Sequence, residues 1–499
     1  MTTILSAKQM QYCDKRTIQE HSMPALVLME RAALAVVSTI SREFPEAKSF
    51  AVLCGPGNNG GDGVAIARLL QLKMKNVTCI VLGDEEKFSD QLQQEIKIAG
   101  SYCIDIKHEM DINAVENADL VIDALFGIGL SRGLSGVFQE AAKLINASAK
   151  QVLAVDIPSG YDTDSGKLIG DVGVKADMTV TFAYMKKGLL LGQCKCAAGK
   201  IQVADVGIYL DDNDKYAMLV DESIFNRMNK RPVDANKGTL GKLLIIAGSD
   251  SIYGACYLSA KSALKTGAGL VKIYTHKNNI SSIQQNIPEA MYLGYESYNE
   301  DELTEQIKWA STILIGPGLG TSQISKSILK QVLDEAKVPL IIDADGLNLL
   351  ADEEMMYKLR KATTINPVII TPHLKEMERL TGIPVKDINY DMEKVAYKYA
   401  EKTGCIVVLK NFTTVVCDRF NSFYINSGNE GLATPGSGDV LAGAIASMVG
   451  QKLSPDILTG ILAATYLHGA AGTMASQRYG VSGVLASNII EEFKNVIKN

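Results

Sequence analysis

The sequence predicts an α/β protein of two domains, each a parallel sheet covered by helices on both faces. The chain has 499 residues, more than a single hydrophobic core usually serves. Short β-branched runs ending in Gly, Asp or Ser alternate with stretches of helical spacing. Two series of such runs flank a charged, weakly periodic stretch. Strands that are apolar throughout belong in a parallel sheet with both faces buried.

The first series is SFAVLCG, VTCIVLG, DLVIDALFG and QVLAVDIPSG. The second is KLLIIAGS, TILIGPG, VPLIIDADG, PVIITPH and CIVVLKN. Between them runs YLDDNDKYAMLVDESIFNRMNKRPVDANKG, where Arg231-Pro232 breaks a helix. The boundary falls near residues 212 to 222, giving domains 1–212 and 222–499. The glycine motifs of the two halves differ, so the halves do not read as repeats.

Hydrophobic residues make up 47% and charged residues 21%, ordinary for a soluble globular protein. The net charge of -6 carries no basic footprint, so nucleic acid is not expected as a partner. The N-terminus lacks the apolar core of a signal peptide. No apolar run reaches the roughly 18 residues that span a bilayer, so no membrane partner is expected. Nine cysteines without metal-type spacing point to a reducing cytoplasm.

The segment LCGPGNNGGDGVAIARLL holds Gly55, Gly57 and Gly60 as GxGxxG between a strand and a helix. Glycines there allow a tight turn and close approach to a phosphate, and the helix start supplies free N–H groups. Asn58, Asn59 and Asp62 add amide and carboxylate oxygens, which can hold a cation or grip a ribose. Asp84, after the next strand, is a candidate ribose ligand. A purely structural strand–helix turn is the alternative.

Two later turns follow strands of the same series. DALFGIGLSRGLSG holds Asp123, Gly127, Gly129, Arg132 and Gly133, and VDIPSGYDTDSG holds Asp156 and Ser159. In an open α/β sheet, ligands bind at the carboxyl ends of the strands. Asp123, Asn59, the Ser159 hydroxyl and backbone carbonyls would form an all-oxygen site for a hard cation. Helix caps and turn ties are the alternative use of these residues.

In the second half, ATPGSGDVLAGAIAS places small residues and Asp439 at a helix start. Successive N–H groups there can neutralise developing phosphate charge, and Asp439 can act as a general base on the group being phosphorylated. An N-cap is the alternative. VVLKNFTTVVCD puts Lys410 at a strand end before Asn411, Phe412, Thr413 and Thr414. The lysine suits a nucleotide phosphate; a hairpin with Lys410 on the surface is the alternative. ITPHLKEMERL carries His373, which can orient a ligand, and Glu376, which can help hold a hydrated magnesium ion. IGPGLG and SIYGACYLSA offer glycines where backbone can lie against a ring. His468 reads as a packed helix residue, and His21, His108 and His276 as structural or surface residues.

As an ordered set these motifs resemble the bifunctional NAD(P)H-hydrate repair enzymes. GPGNNGGDG, DALFGIGLSRG and VDIPSG look like the signatures of the epimerase half. IGPGLG, DADGLN, TPHLKEMERL and GSGDVLAG look like those of the dehydratase half. The resemblance covers nearly the whole chain. It implies a Rossmann-like α/β/α domain followed by a ribokinase-like α/β/α domain. It implies that the first half interconverts the R and S hydrates of NADH and NADPH (NADHX, NADPHX). The second half would dehydrate the S form, coupled to hydrolysis of ADP to AMP and phosphate.

Carried over by position, Asn58, Asn59, Gly60, Gly61 and Asp62 match the first substrate loop. Gly127, Ile128, Gly129, Leu130, Ser131, Arg132 and Gly133 match the second, and Asp156 matches a further substrate contact and a candidate acid–base group. Asn59, Asp123 and Ser159 match potassium ligands. Ala255, Gly318, His373 and Asp439 match hydrate-binding positions, with Asp439 as the base. Lys410, Asn411, Phe412, Thr413, Thr414 and Gly438 match nucleotide-binding positions. The resemblance also implies potassium in the first half, magnesium and ADP in the second, and self-association. PGSGD stands where Gly-Gly-Thr-Gly-Asp is common, and Asn411 where a glycine often follows the lysine. A ribokinase-like vitamin or sugar kinase with an accessory dinucleotide-binding domain is one rival reading; a dinucleotide-sensing protein with degenerate sites is another.

Overall fold

A computed structural model describes residues 1–148, 150–211 and 214–497. The chain divides into two compact units, Thr2–Tyr216 and, apart from Met1, the residues from Ala217 onward. The expected end of the first domain, residue 212, lies outside the described residues.

The first unit is built on a parallel sheet. Its strands lie in the order Ile106–Lys107, Asn76–Val81, Ser49–Cys54, Leu120–Ala124, Gln151–Val155, Met178–Phe182 and Lys200–Ala204. Alternate residues serve opposite faces, as strand geometry requires. Phe50, Val52, Ile122 and Leu153 join one buried cluster, with the helices Ala25–Glu43 and Asn58–Leu72. Ala51, Leu53, Val121 and Val152 join the other, under the helix Val137–Ala147. The chain winds outward from Ser49–Cys54 in one direction, then returns to place Leu120–Ala124 on that strand's other side. The topological switch point, where α/β sheets bind ligands, therefore lies between these two strands.

The second unit repeats the logic. Its strands run in the order Met291–Tyr295, Leu270–His276, Lys242–Ile246, Thr312–Ile315, Leu340–Ile342, Val368–Ile370 and Ile406–Leu409, all parallel. Thr414–Cys417 and Ser422–Ile425 continue the sheet antiparallel, and Ala217–Val220 pairs parallel with the latter. The switch point lies between Lys242–Ile246 and Thr312–Ile315.

The helix Ser437–Gly450 is buried along almost its whole length and crosses close to the helix Gly254–Lys265. Gly443 permits this: a Cβ there would lie 2.2 Å from the Ser259 carbonyl oxygen. Among the described residues one helix, Ile457–Tyr479, is long and apolar enough to cross a membrane, which corrects the sequence expectation that no stretch qualifies. Its apolar residues are spent on the core, since 67% of the apolar window is buried inside the protein.

Candidate functional site

Each unit carries a candidate site beyond the carboxyl ends of its parallel strands, the first at its switch point. In the first, a cavity of about 580 Å³ opens at the carboxyl ends of the strands. Gly57, Asn58, Asn59 and Asp62 line it from one loop, Gly127, Ile128, Gly129 and Leu130 from the next, and Asp156 from a third. The helix Asn58–Leu72 begins at Gly57 with no side-chain cap, so its first N–H groups stay open.

The glycines divide into two kinds. A Cβ on Gly55 would lie 1.8 Å from the Leu125 carbonyl oxygen, and one on Gly60 1.9 Å from that of Gly55. These two glycines let backbones stack. A Cβ on Gly57 would meet nothing within 4 Å, so Gly57 is the member of the motif that is open to a ligand. Gly61 packs against Met29 and does not line the cavity. Neither do Ser131, Arg132 and Gly133; Gly133 packs against Gly170. Asp84 is exposed, caps the turn Glu85–Lys87, pairs with Lys87 at 2.9 Å and does not line the cavity.

Asp156 sits at φ +68°, a left-handed conformation that side chains other than Gly and Asn/Asp rarely take. Its N–H donates to the Val180 carbonyl, which ties the turn to the neighbouring strand. Its Oδ1 accepts from the Thr181 hydroxyl at 3.0 Å, the Phe182 N–H at 3.3 Å and the Lys186 ammonium at 2.5 Å. Its Oδ2 lies on the side of Gly127 and Asn59. Two further carboxyls, Asp14 and Asp62, line the same cavity. Burial, aided by the Asp156 charge, pushes both above the usual carboxylate range.

Asp123 and Ser159 meet beneath the loop. Ser159 donates its hydroxyl to Asp123 Oδ1 at 2.7 Å and its N–H to Oδ2 at 2.8 Å. The Ser159 oxygen also lies 3.2 Å from the Phe126 carbonyl oxygen. Burial pushes Asp123 up to about 6 against the pull of the Ser159 bonds. Asn59 faces the next residue, Gly127, and its buried Nδ2 has no hydrogen-bond partner among the described residues.

In the second unit the helix Ser437–Gly450 starts at Gly436, which has φ +84° and no side-chain cap. Its N-terminus is an anion site in form. A Cβ on Gly438 would lie 3.3 Å from Lys410 Nζ and 3.8 Å from Asp343 Oδ2, which places all three together. Lys410 is not on the surface. It starts the turn of an antiparallel hairpin, yet its ammonium pairs with the buried Asp343 at 2.8 Å. Burial alone would lower the ammonium, but Asp343 and Glu376 hold it above its usual range. Asp439 makes no hydrogen bond or ion pair among the described residues; burial, then the Asp343 charge, pushes it up to about 7. A carboxylate poised there can exchange protons near neutral pH.

Ala255 and Gly318 face each other, since a Cβ on Gly318 would lie 3.0 Å from Ala255 Cβ. His373 caps the helix Leu374–Thr381: its Nδ1 accepts from the Lys375 and Glu376 N–H groups at 3.0 and 3.2 Å. Only Nε2 is left for a ligand, and it is 3.4 Å from Glu376 Oε1. Burial pushes the Glu376 carboxyl up to about 7. Asn411 bonds to Asn389, Thr413 to Asn426, and Thr414 begins a strand, so these residues shape the hairpin as well as flank Lys410. Phe412 is exposed.

The structure adds residues that sequence reasoning passed over. His468 does more than pack: its Nε2 lies 3.1 Å from the hydroxyl of Ser437, inside the anion turn. Burial lowers it to about 4, so it is neutral. Asp343, in DADGLN, joins the site through its pair with Lys410. Lys186 and Asp14 belong to no glycine motif.

Comparison with known proteins bears on both halves. The family model for NAD(P)H-hydrate dehydratase matches residues 243–495, and that for the YjeF-related protein N-terminus matches residues 25–188. A bifunctional NAD(P)H-hydrate repair enzyme of Moorella thermoacetica is 32% identical over 99% of this chain and 97% of its own length. One from Escherichia coli K12 is 33% identical over 94% of this chain and 89% of its own. Among solved structures, a ribokinase-like superfamily protein from Enterococcus faecalis V583 aligns with a TM-score of 0.51 and 30% identity, covering 57% of this chain and 97% of that one.

Proposed function

The chain belongs to the bifunctional NAD(P)H-hydrate repair enzymes, and from that premise we propose how its two sites divide one repair. Its N-terminal half is Rossmann-like and its C-terminal half ribokinase-like. The first site epimerises NADH and NADPH hydrates. The second dehydrates the S form at the expense of ADP. The observation that carries this reading is Asp439, a half-buried carboxylate at an uncapped helix start beside Lys410 and Gly438.

In the second site Asp439 takes the proton of the ring hydroxyl, whose oxygen attacks the β-phosphate of ADP. Charge on the transferred group falls on the helix N–H groups and Lys410. The P–O bond to AMP breaks. The ring nitrogen then expels the hydroxyl oxygen as phosphate, and loss of a proton from the adjacent carbon restores the dihydronicotinamide. Ala255, Gly318 and His373 hold the hydrate, and the 410–414 turn holds the nucleotide. Glu376, an oxygen donor beside Lys410, suits magnesium, which when bound neutralises phosphate charge.

In the first site the hydroxyl is on the carbon bonded to the ring nitrogen, because water adds to an enamine there. Asp156 Oδ2 takes the hydroxyl proton. The C–N ring bond breaks, its pair going to nitrogen, and the carbon becomes an aldehyde; Asp156 passes the proton to nitrogen. Rotation and the reverse steps yield the other epimer. Asn58, Asn59, Asp62 and residues 127–130 surround the substrate. Asn59, Asp123, Ser159 and the Phe126 carbonyl would supply the oxygens for potassium; of these, Asp123 accepts from Ser159, whose oxygen lies 3.2 Å from that carbonyl oxygen. We place the protein in the cytoplasm as a homo-oligomer.

The stoichiometry test is direct. S hydrate and ADP should disappear one for one as AMP, phosphate and reduced nicotinamide form. A stable phosphorylated product would instead favour a kinase. Gly60→Ala should force the Gly55 carbonyl aside and disable epimerisation, with dehydration kept; overpacking of this kind destabilises by about 1–3 kcal/mol. Unchanged conversion of R hydrate would contradict the backbone stacking described above. His468→Ala should lower the dehydration kcat by roughly 3- to 10-fold, the worth of one hydrogen bond. Wild-type kcat in that variant would reduce His468 to packing.

A further inference from the structure

We propose that Lys186 is the positioning residue of the epimerase site, holding Asp156 by one carboxylate oxygen so that the other faces the substrate. The inference rests on the reading of Asp156 as the proton carrier. Three observations support it. Lys186 is 1% exposed, and its ammonium is shared between Asp156 Oδ1 at 2.5 Å and the Phe182 carbonyl at 2.7 Å. The Thr181 hydroxyl and Phe182 N–H converge on that same oxygen, so every donor to the carboxylate is on one side. Oδ2 is left towards Gly127 and Asn59, on the loop that lines the cavity.

The surroundings give Lys186 its task. Asp14, Asp62 and Asp156 all line this cavity, and burial, aided by the Asp156 charge, pushes the Asp14 and Asp62 carboxyls up. The other lysine lining it, Lys87, is exposed and paired with Asp84. Lys186 is thus the buried cation among three carboxyls. A buried ammonium is expensive to keep without a partner. Here its partner is the residue whose backbone is also held in the left-handed region at φ +68°. Backbone, hydroxyl and ammonium together fix the direction of Oδ2. For a carboxylate that must accept a proton from one oxygen and return it to a nearby nitrogen, direction counts as much as basicity.

Lys186 itself lines the cavity, so truncating it leaves a space that a small amine can enter. The test uses the full chain and follows R-to-S conversion by chromatography without nucleotide. Lys186→Ala and the bulk-preserving Lys186→Met should both lose about 100-fold in kcat, with KM moving less than about threefold. Ethylammonium should recover at least about tenfold of the Ala loss, and 1-propanol at equal concentration none. ADP-dependent dehydration of S hydrate in the same preparations should stay at the wild-type rate. Wild-type kcat in Lys186→Met overturns the inference, as does a change in KM alone or equal recovery by propanol. Asp156→Asn separates the two claims. If it epimerises normally, the proton-carrier reading fails; if it is inactive while Lys186→Met is active, only the role of Lys186 fails.

Discussion

Asp439→Asn is expected to lower dehydration of the S hydrate by about 10²- to 10⁴-fold, the range for loss of a general base. R-to-S conversion should be unchanged, because Asp156 lies in the other unit. Asparagine keeps the shape and the position at the helix start but cannot take a proton. The same residue predicts a pH dependence. Burial and Asp343 push the Asp439 carboxyl up to about 7, so it is protonated below that pH and ionised above it. A base must be ionised, so wild-type dehydration should fall as pH drops through about 7. Steady-state kcat against pH, with epimerisation as an internal control, checks both statements. Retained dehydration in Asp439→Asn would remove the residue from the role of base.

Lys410→Met is expected to act on stability and on nucleotide use together. Asp343 is 1% exposed, and its Oδ1 is held by Lys410 at 2.8 Å and the Thr371 hydroxyl at 2.7 Å. Removing the ammonium leaves a buried charge with the hydroxyl alone. Breaking such a pair costs about 3–5 kcal/mol. The ammonium beside Gly438 is also lost to the phosphate. ADP KM should therefore rise at least about tenfold, and kcat fall with it. The double variant Lys410→Met/Asp343→Asn removes the orphaned charge. It should regain most of the stability in calorimetry and none of the nucleotide affinity. Recovery of both would mean that Lys410 serves the fold alone.

The residues themselves explain what could be read in advance. Val52, Ile122, Ile245 and Ile341 stand in unbroken apolar runs, which only a doubly covered parallel strand needs. Those strands, and the turns after them, were legible for that reason. Leu270–His276 was not, because LVKIYTH alternates polar with apolar residues, and Lys272 reaches Gln306 at 2.8 Å. Met178–Phe182 was not legible because MTVTF alternates apolar residues with threonines, whose hydroxyls find distant partners, Thr179 on the Ala198 carbonyl and Thr181 on Asp156.

At the sites, Asp439, Asp156 and Asp123 were visible because each ends a strand or opens a helix beside glycine. The glycines of GxGxxG suit a tight turn and close approach to a phosphate, yet Gly55 and Gly60 serve backbone stacking, Gly55 against Leu125 seventy residues away and Gly60 against Gly55 itself. Lys186 gave a weak signal, one of the two lysines in MKKGLL, since its partner arrives from a different strand. His468 sat in an apolar helix whose burial concealed its single polar contact. Partners distant in sequence, not unusual composition, account for both omissions.

The measurement that tests the central claim most directly is recovery of reduced-nicotinamide absorbance from a purified R hydrate supplied with ADP, magnesium and potassium. The R form must be epimerised before it can be dehydrated, so recovery requires both sites of this chain. The account predicts near-complete recovery, well ahead of spontaneous epimerisation measured without protein. Recovery from S hydrate but not from R would contradict the role given to the first site, and no recovery from either would contradict the repair reading as a whole.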